Sequence, residues 1–390
     1  MLIKYQNKKI IFNLNVDKNK KVSITYFGNK KNNFLKKTTP SSIVELESRE
    51  QNHNGNHCEK FCMTPYAENA IYVKHSFIKK VKNDELILVT NDGFFQVESH
   101  FIFYKDVAGL SSYNVVKNIS NKKLTLEYIS SFYLSGFGNE INPIHQNLNL
   151  FYANTGWYKE NQFLRRTFLE SNLFNGNNNL TMSSFKLNNT GSWSTKDFLP
   201  ILGIEDKNKN LCLYGQIENN GSWHIEIGDN KNAFYLTFSG PEFVDNSWYK
   251  TLDKNEIFVS AKASITLTED FETSIQEMTK IRRNLVRNCK DNNELPVIYN
   301  DYMHALWDLQ DEKHILPLIK PAKDAGAELF CIDAGYFHKG VGWTNKIGYW
   351  KEEPSNFPHG GLKGLLKLIV YYLSRQNLIH LNRIYINLKE

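Results

Sequence analysis

No stretch of this sequence is apolar for long enough to span a bilayer, so no membrane association is expected. The first residues, MLIKYQNKKIIFNLNV, lack the apolar core and small-residue cleavage site of a signal peptide. Cysteine is scarce. Five residues, an odd number scattered along the chain, argue against a disulfide framework and for reduced thiols in the cytoplasm. There is no G-x-S-x-G elbow for a serine nucleophile, no phosphate-cradling P-loop and no G-x-G-x-x-G after a strand, so no nucleotide cofactor is expected. No internal repeat of fixed period is present.

What the chain does have is length, aromatics and a mild basic excess. Its 390 residues predict two domains, and 41% hydrophobic with 13% aromatic residues suffice for a sizeable core. The net charge is +6, from 47 basic and 41 acidic residues. Lys8, Lys9, Lys18, Lys20, Lys21, Lys30, Lys31, Lys36 and Lys37 carry much of the excess, interspersed with Asn. They read as solvated strand edges and turns. No basic helix or nucleic-acid module accompanies them, so no nucleic-acid partner is expected.

As far as about residue 291, short apolar or alternating runs are split by Asn-, Gly- and Asp-rich turns. Residues 9–12, 22–26, 71–73, 86–89, 94–97, 124–128, 211–214 and 234–238 are strand-like, and Asn91-Asp92-Gly93 between two of them signals a hairpin. Many short strands with frequent turns predict a large β-sandwich. From 271 to 290 the period turns helical through Ile275, Met278, Ile281, Leu285 and Val286, which predicts a connecting helix.

Residues 295–337 then read as strand, loop, helix, strand and loop. Residues 296–300 are expected as a strand buried on both faces. Ile315, Leu318, Ile319 and Ala322 give the next helix an apolar face; Pro317 is tolerated near its start, Pro321 predicts a kink, and Gly326 stops it. Residues 328–332 form a second buried strand. The two strands deliver Asn300, Asp301 and Asp333 at their C-terminal ends, where parallel α/β folds bind ligands. A long Gly-rich loop carrying Trp343 and Trp350 follows, then a helix over 361–372.

Two further groups of residues bear on ligand chemistry. His53, His57, Cys58 and Cys62 are soft ligands, but paired ligands normally flank a folded finger, and here His57 and Cys58 are adjacent. The segment reads as a polar loop with no metal. Trp157, Trp193 and Trp223 sit among Gly, Ser, Thr and Asn. Aromatic rings beside amides and hydroxyls suit a sugar, and packing of large turns explains the same residues.

Blocks at 154–166 (NTGWYKENQFLRR), 189–200 (NTGSWSTKDFLP), 217–229 (IENNGSWHIEIGD), 239–241, 246–250, 282–283, 295–302 (LPVIYNDY), 328–336 (ELFCIDAGY) and 348–361 (GYWKEEPSNFPHGG) occur in one order. With these the chain resembles the α-galactosidases of glycoside hydrolase family 36 over about residues 40–370. The resemblance implies a β + α/β protein: a large N-terminal β-supersandwich (1–270), a linker helix (271–294) and the first units of a (β/α)8 TIM barrel (295–372). It implies retaining hydrolysis of terminal α-galactosides in oligosaccharides of the raffinose series and melibiose, and homo-oligomers, tetramers in many members. Asp333 matches the first Asp of the family's Asp-Asp-Gly-Trp block, which holds galactose hydroxyls. Ala334 and Tyr336 depart from that block, the former as in an Asp-Ala-Gly-Trp subgroup. Asn300 matches the Asn ending the first barrel strand, followed by Asp301. Tyr302 replaces an aromatic that is usually Trp. Trp350 matches the Trp of a Gly-Asp-Trp block. The substrate-binding set is thus Asp333, Asn300, Asp301, Tyr302 and Trp350, with no cofactor and no metal.

The departure comes at 373–390 (LSRQNLIHLNRIYINLKE), which matches nothing in the family. The family's nucleophile Asp lies on the fourth barrel strand and its acid/base Asp on the sixth, and neither has a counterpart among these residues. A full barrel needs about 250 residues. The expectation is a chain truncated or frameshifted within the barrel, and an inactive product. The alternative is a non-catalytic sugar-binding or oligomerisation module built on the sandwich.

Overall fold

The computed structural model describes residues 1–35, 41–52, 61–138, 147–174, 183–230, 233–375 and 383–386. They fall into two compact units divided between Val286 and Arg287.

The first unit is almost entirely antiparallel β-sheet. Leu2–Gln6, Ile11–Val16 and Val22–Gly28 make a three-stranded sheet. A ten-stranded sheet runs Gln162–Thr167, Leu148–Asn154, Ile201–Asp206, Leu211–Glu218, Lys262–Thr268, Gly109–Asn118, Phe95–Tyr104, Asn83–Asn91 and Ile71–Lys79, with Ile257–Val259 also on Gly109–Asn118. A six-stranded sheet runs Ser184–Asn189, Trp223–Asn230, Ala233–Ser239, Leu124–Phe137 and Lys250–Leu252, with Leu46–Ser48 also on Leu124–Phe137.

Alternation explains the strand faces. In Ile11–Val16, Phe12, Leu14 and Val16 are buried and their neighbours are not. Residues from all three sheets join one buried apolar cluster, rich in rings such as Phe12, Phe27, Phe101 and Phe103. The expected hairpin forms: Asn91 pairs Gln96, and Asp92 Oδ1 accepts from the amides of Phe94 (2.9 Å) and Phe95 (2.7 Å). Gly93 takes the positive φ (92°) that this turn requires.

The helix expected as a connector is Phe271–Leu285, capped by Asp270, whose carboxylate accepts from Thr273 N at 2.7 Å. Met278 and Ile281 pack into the first unit, while Leu285 and Val286 are exposed. Glu277 ties the helix down, accepting from Ala108 N (2.7 Å) and pairing with Lys9 (2.6 Å). This helix therefore belongs to the sheet unit.

The second unit holds a parallel three-stranded sheet in the order Ile298–Asn300, Leu329–Ile332, Arg383–Ile386. Helices Glu312–Asp324 and Gly361–Arg375 cover it through Ile315, Ile319, Ala322, Leu365 and Ile369, packed with Phe330 and Ile332. The first helix runs through both Pro317 and Pro321, and Gly326 follows its end at φ 95°. One expectation changes. The first strand is not buried on both faces: Val297 and Ile298 are 56% and 58% exposed, because among the described residues this is an edge strand paired with Leu329–Ile332 alone. Within 373–390, Arg383–Ile386 adds a parallel strand beside Leu329–Ile332. No helix among the described residues is long and apolar enough to cross a membrane.

Candidate functional site

The parallel register sets Asn300 opposite Cys331, so Asn300, Asp301 and Asp333 emerge together at the C-terminal ends of the first two strands. They form one hydrogen-bonded cluster. Asn300 Nδ2 donates to Asp333 Oδ2 at 2.6 Å, and the Asp333 amide donates to Asp301 Oδ1 at 3.0 Å. Asp333 Oδ1 lies 2.6 Å from the amide of Ala334. Asp301 is buried, and burial pushes its carboxyl up to about 6. One of its oxygens accepts from the Asp333 amide, and the side chain of Gln310 lies beside the carboxyl. Asp301 thus positions Asp333, while Asp333 and the exposed Asn300 present the outward-facing polar groups.

Tyr302 joins through its amide, which donates to Asn300 Oδ1 at 2.9 Å. Its hydroxyl accepts from Trp343 Nε1 at 3.1 Å, and its ring stacks on Trp307 with centroids 5.2 Å apart. Trp350 is half-exposed and meets this group indirectly, edge-on to Phe337, which in turn meets Trp343. The structure therefore brings Asn300, Asp301, Tyr302 and Asp333 together directly, and Trp350 through two other rings.

Sequence reasoning missed Trp307 and Gln310. Trp307 follows a π-helical turn, Tyr302–Leu306, and holds a positive φ of 56°, a combination that recurs at functional sites. No sequence signal marks that geometry. Gln310 is buried, and its side chain lies against the Asp301 carboxyl. Gly335, at φ 116°, leaves the room it needs: a Cβ there would stand 2.2 Å from Gln310 Oε1.

Among the three tryptophans in polar contexts, the structure separates one. Trp223 is buried and its Nε1 donates to the Ser194 carbonyl at 2.6 Å, so it is a core residue and not a sugar platform. Trp157 and Trp193 are exposed, with rings 6.1 Å apart and nearly perpendicular. Of the His/Cys group, His53, His57 and Cys58 lie outside the described residues, and Cys62 is buried with Tyr133 and Tyr235.

A carboxylate and an amide side by side, with aromatic rings close by, suit a polyhydroxylated ligand: the polar pair meets hydroxyls and a ring face meets C–H bonds. Residues 262–374 match the Melibiase family model. The chain resembles the α-galactosidases of glycoside hydrolase family 36. Over 98 residues it is 30% identical to alpha-galactosidase 1 of Pediococcus pentosaceus, which is 25% of this chain and 13% of that protein. The family 36 α-galactosidase AgaA of Geobacillus stearothermophilus superposes with a TM-score of 0.73 at 14% identity, covering 99% of this chain and 56% of that one. The α-galactosidase of Lactobacillus brevis superposes with a TM-score of 0.71 at 13% identity, covering 99% of this chain and 54% of that one. At these identities the superpositions show the fold. The chain spans about half the length of the solved structures it matches.

Proposed function

We propose that this chain is an α-galactosidase-type glycoside hydrolase polypeptide whose 390 residues carry the sugar-gripping part of the site. The observation behind this reading is the pairing of Asn300 with Asp333 at the ends of adjacent parallel strands. Residues 1–270, with the helix Phe271–Leu285 packed on them, take the part of the β-supersandwich, and 295–372 that of the first units of a (β/α)8 barrel, with 373–390 outside the family pattern. Asp333 accepts hydroxyl protons of a terminal α-galactose, Asn300 donates to a neighbouring oxygen, and Asp301 holds Asp333 in place. Tyr302 and Trp350 line the apolar side. Oligosaccharides of the raffinose series are the substrate class, since relatives of this fold were solved with raffinose and with stachyose. Scattered cysteines favour a cytoplasmic protein, and the family's habit favours a homo-oligomer.

Retaining cleavage needs two carboxylates about 5–5.5 Å apart, one as nucleophile and one to shuttle the proton. In this reading neither belongs to residues 1–390. Asp301 does not qualify, because it is enclosed and turned onto the Asp333 backbone.

The test uses the purified 390-residue polypeptide. Titration calorimetry is expected to detect raffinose binding, and Asp333→Asn to weaken it roughly 30-fold, the equivalent of about 2 kcal/mol for hydrogen bonds to a charged group. A chromogenic α-galactoside is expected to stay intact. Turnover above the uncatalysed rate overturns the assignment of the catalytic pair elsewhere. Raffinose affinity unchanged in Asp333→Asn overturns the sugar-gripping role.

A further inference from the structure

The first unit contains a buried polar cluster that the sugar reading does not use. It lies where the strand Trp223–Asn230 meets the short helix Phe243–Asn246. His224 is fully buried, and its ring nitrogens face carboxylates at distances longer than an ordinary hydrogen bond. Carboxylate oxygens surround the ring. Asp245 Oδ2 lies 3.3 Å and Glu242 Oε1 3.6 Å from Nδ1, while Glu226 Oε2 lies 3.5 Å from Nε2. Glu226 is held on its other side, its Oε1 accepting from Phe61 N at 3.1 Å and from the Tyr235 hydroxyl. Lys186 Nζ stands 3.3 Å from Glu226 Oε2. Glu242 is fixed by the amides of Val244 (2.5 Å) and Asp245 (2.7 Å).

We propose that His224 Nδ1, Glu242 and Asp245 form a three-donor site for a divalent transition cation, with zinc the best-matched ion. Three observations carry this. The first is spacing. Ligands bound at about 2.0–2.1 Å on a tetrahedral ion stand about 3.4 Å from one another. The two Nδ1-to-carboxylate distances, 3.3 and 3.6 Å, bracket that value, and all three donor atoms lie within 4.8 Å of one another.

The second is charge. Counted formally, Glu226, Glu242 and Asp245 set three carboxylates against the single ammonium of Lys186. A proton on His224 would still leave the cluster one negative charge in excess. A divalent cation beside a neutral imidazole brings the sum to zero.

The third is the outer partner. A metal-bound histidine usually gives its other N–H to a carboxylate, and Glu226 occupies that place beside Nε2. The Asp245 side chain, 27% exposed, leaves a path for the ion and for a water in the fourth position. The site would clamp the strand to the helix. It stands independently of the sugar reading.

The experiment starts from the 390-residue protein, freed of metal by a chelator and supplied with zinc chloride. After gel filtration, elemental analysis is expected to find one zinc per chain, and cobalt(II) in its place to show the visible bands of a four-coordinate N/O centre. Asp245→Asn, at the partly exposed edge, is expected to keep the circular dichroism of the parent and to bind zinc at least roughly tenfold more weakly. His224→Gln is expected to lose the cobalt bands. Failure of the parent to retain zinc overturns the proposal. So does zinc retention that survives Asp245→Asn and disappears in Cys58→Ser, which would place the ion at the 53–62 motif.

Discussion

Trp223→Ala is expected to destabilise the first unit by about 3–5 kcal/mol, the usual cost of removing a large buried ring. Trp223 is completely buried in the main apolar cluster. Its strand lies between Ser184–Asn189 and Ala233–Ser239, so no edge can relax into the cavity. The substitution also strips the Ser194 carbonyl of the indole N–H that it accepts from. Trp193→Ala is the contrast. That ring is half-exposed, and its Nε1 bonds Thr195 Oγ1 at 3.2 Å, so a change within about 0.5 kcal/mol is expected. Urea titrations of the two variants measure both. A loss below about 1 kcal/mol for Trp223→Ala would sink the assignment of this ring to the core.

Glu45→Gln is expected to stabilise the protein at alkaline pH and not at acidic pH. Glu45 is buried, and burial raises its carboxyl from an ordinary 4.5 to about 7. Its oxygens accept from Ser42 Oγ at 2.5 Å and from Thr64 N and Oγ1 at 2.9 and 2.7 Å. These bonds limit the shift without abolishing it. A carboxyl whose folded value lies above its unfolded one binds more protons in the folded state between the two. Its contribution is complete below 4.5 and is lost as pH rises through 7. The difference corresponds to about 3 kcal/mol at most. A glutamine keeps the acceptor for Thr64 and offers its amide to Ser42 Oγ, with no charge to desolvate. The stability of Glu45→Gln relative to the parent should therefore climb by up to about 3 kcal/mol between about pH 4 and pH 8. Denaturant curves at the two pH values check it; a difference that stays flat with pH would show that Glu45 ionises in the folded protein as it does in the open chain.

Much of the architecture was legible from local pattern. The strand-like runs at 9–12 and 22–26 overlap the strands Ile11–Val16 and Val22–Gly28, and Asn91-Asp92-Gly93 marked its hairpin. Other strands were hidden by their own polarity. Gly109–Asn118 carries Ser111, Ser112 and Asn114, all buried. Ser111 Oγ bonds Ser264 Oγ at 2.7 Å and Asn114 Nδ2 donates to the Ser130 carbonyl at 2.6 Å, partners 153 and 16 residues away. Trp223–Asn230 is buried throughout although it holds His224, Glu226 and Asp229. A one-dimensional reading sends such residues to the surface, because the groups that face them come from distant parts of the chain.

In the second unit, chemistry was readable where it sat at strand ends. Asn300, Asp301 and Asp333 stood out as polar residues closing apolar runs, and helical spacing placed Ile315, Ile319 and Ala322 against the sheet. The sequence by itself therefore determined the passage from β-rich to α/β elements, the resemblance to an α-galactosidase and the candidates for gripping a sugar. Only the tertiary structure decided which roles those residues take. Parallel pairing carried Asn300 to Asp333 across 33 positions, burial made Asp301 a support for Asp333, and packing drew Trp223 inward while leaving Trp193 outside. The physical reason is common to all three: desolvation and hydrogen-bond partnership depend on neighbours distant in the chain, which local periodicity does not record.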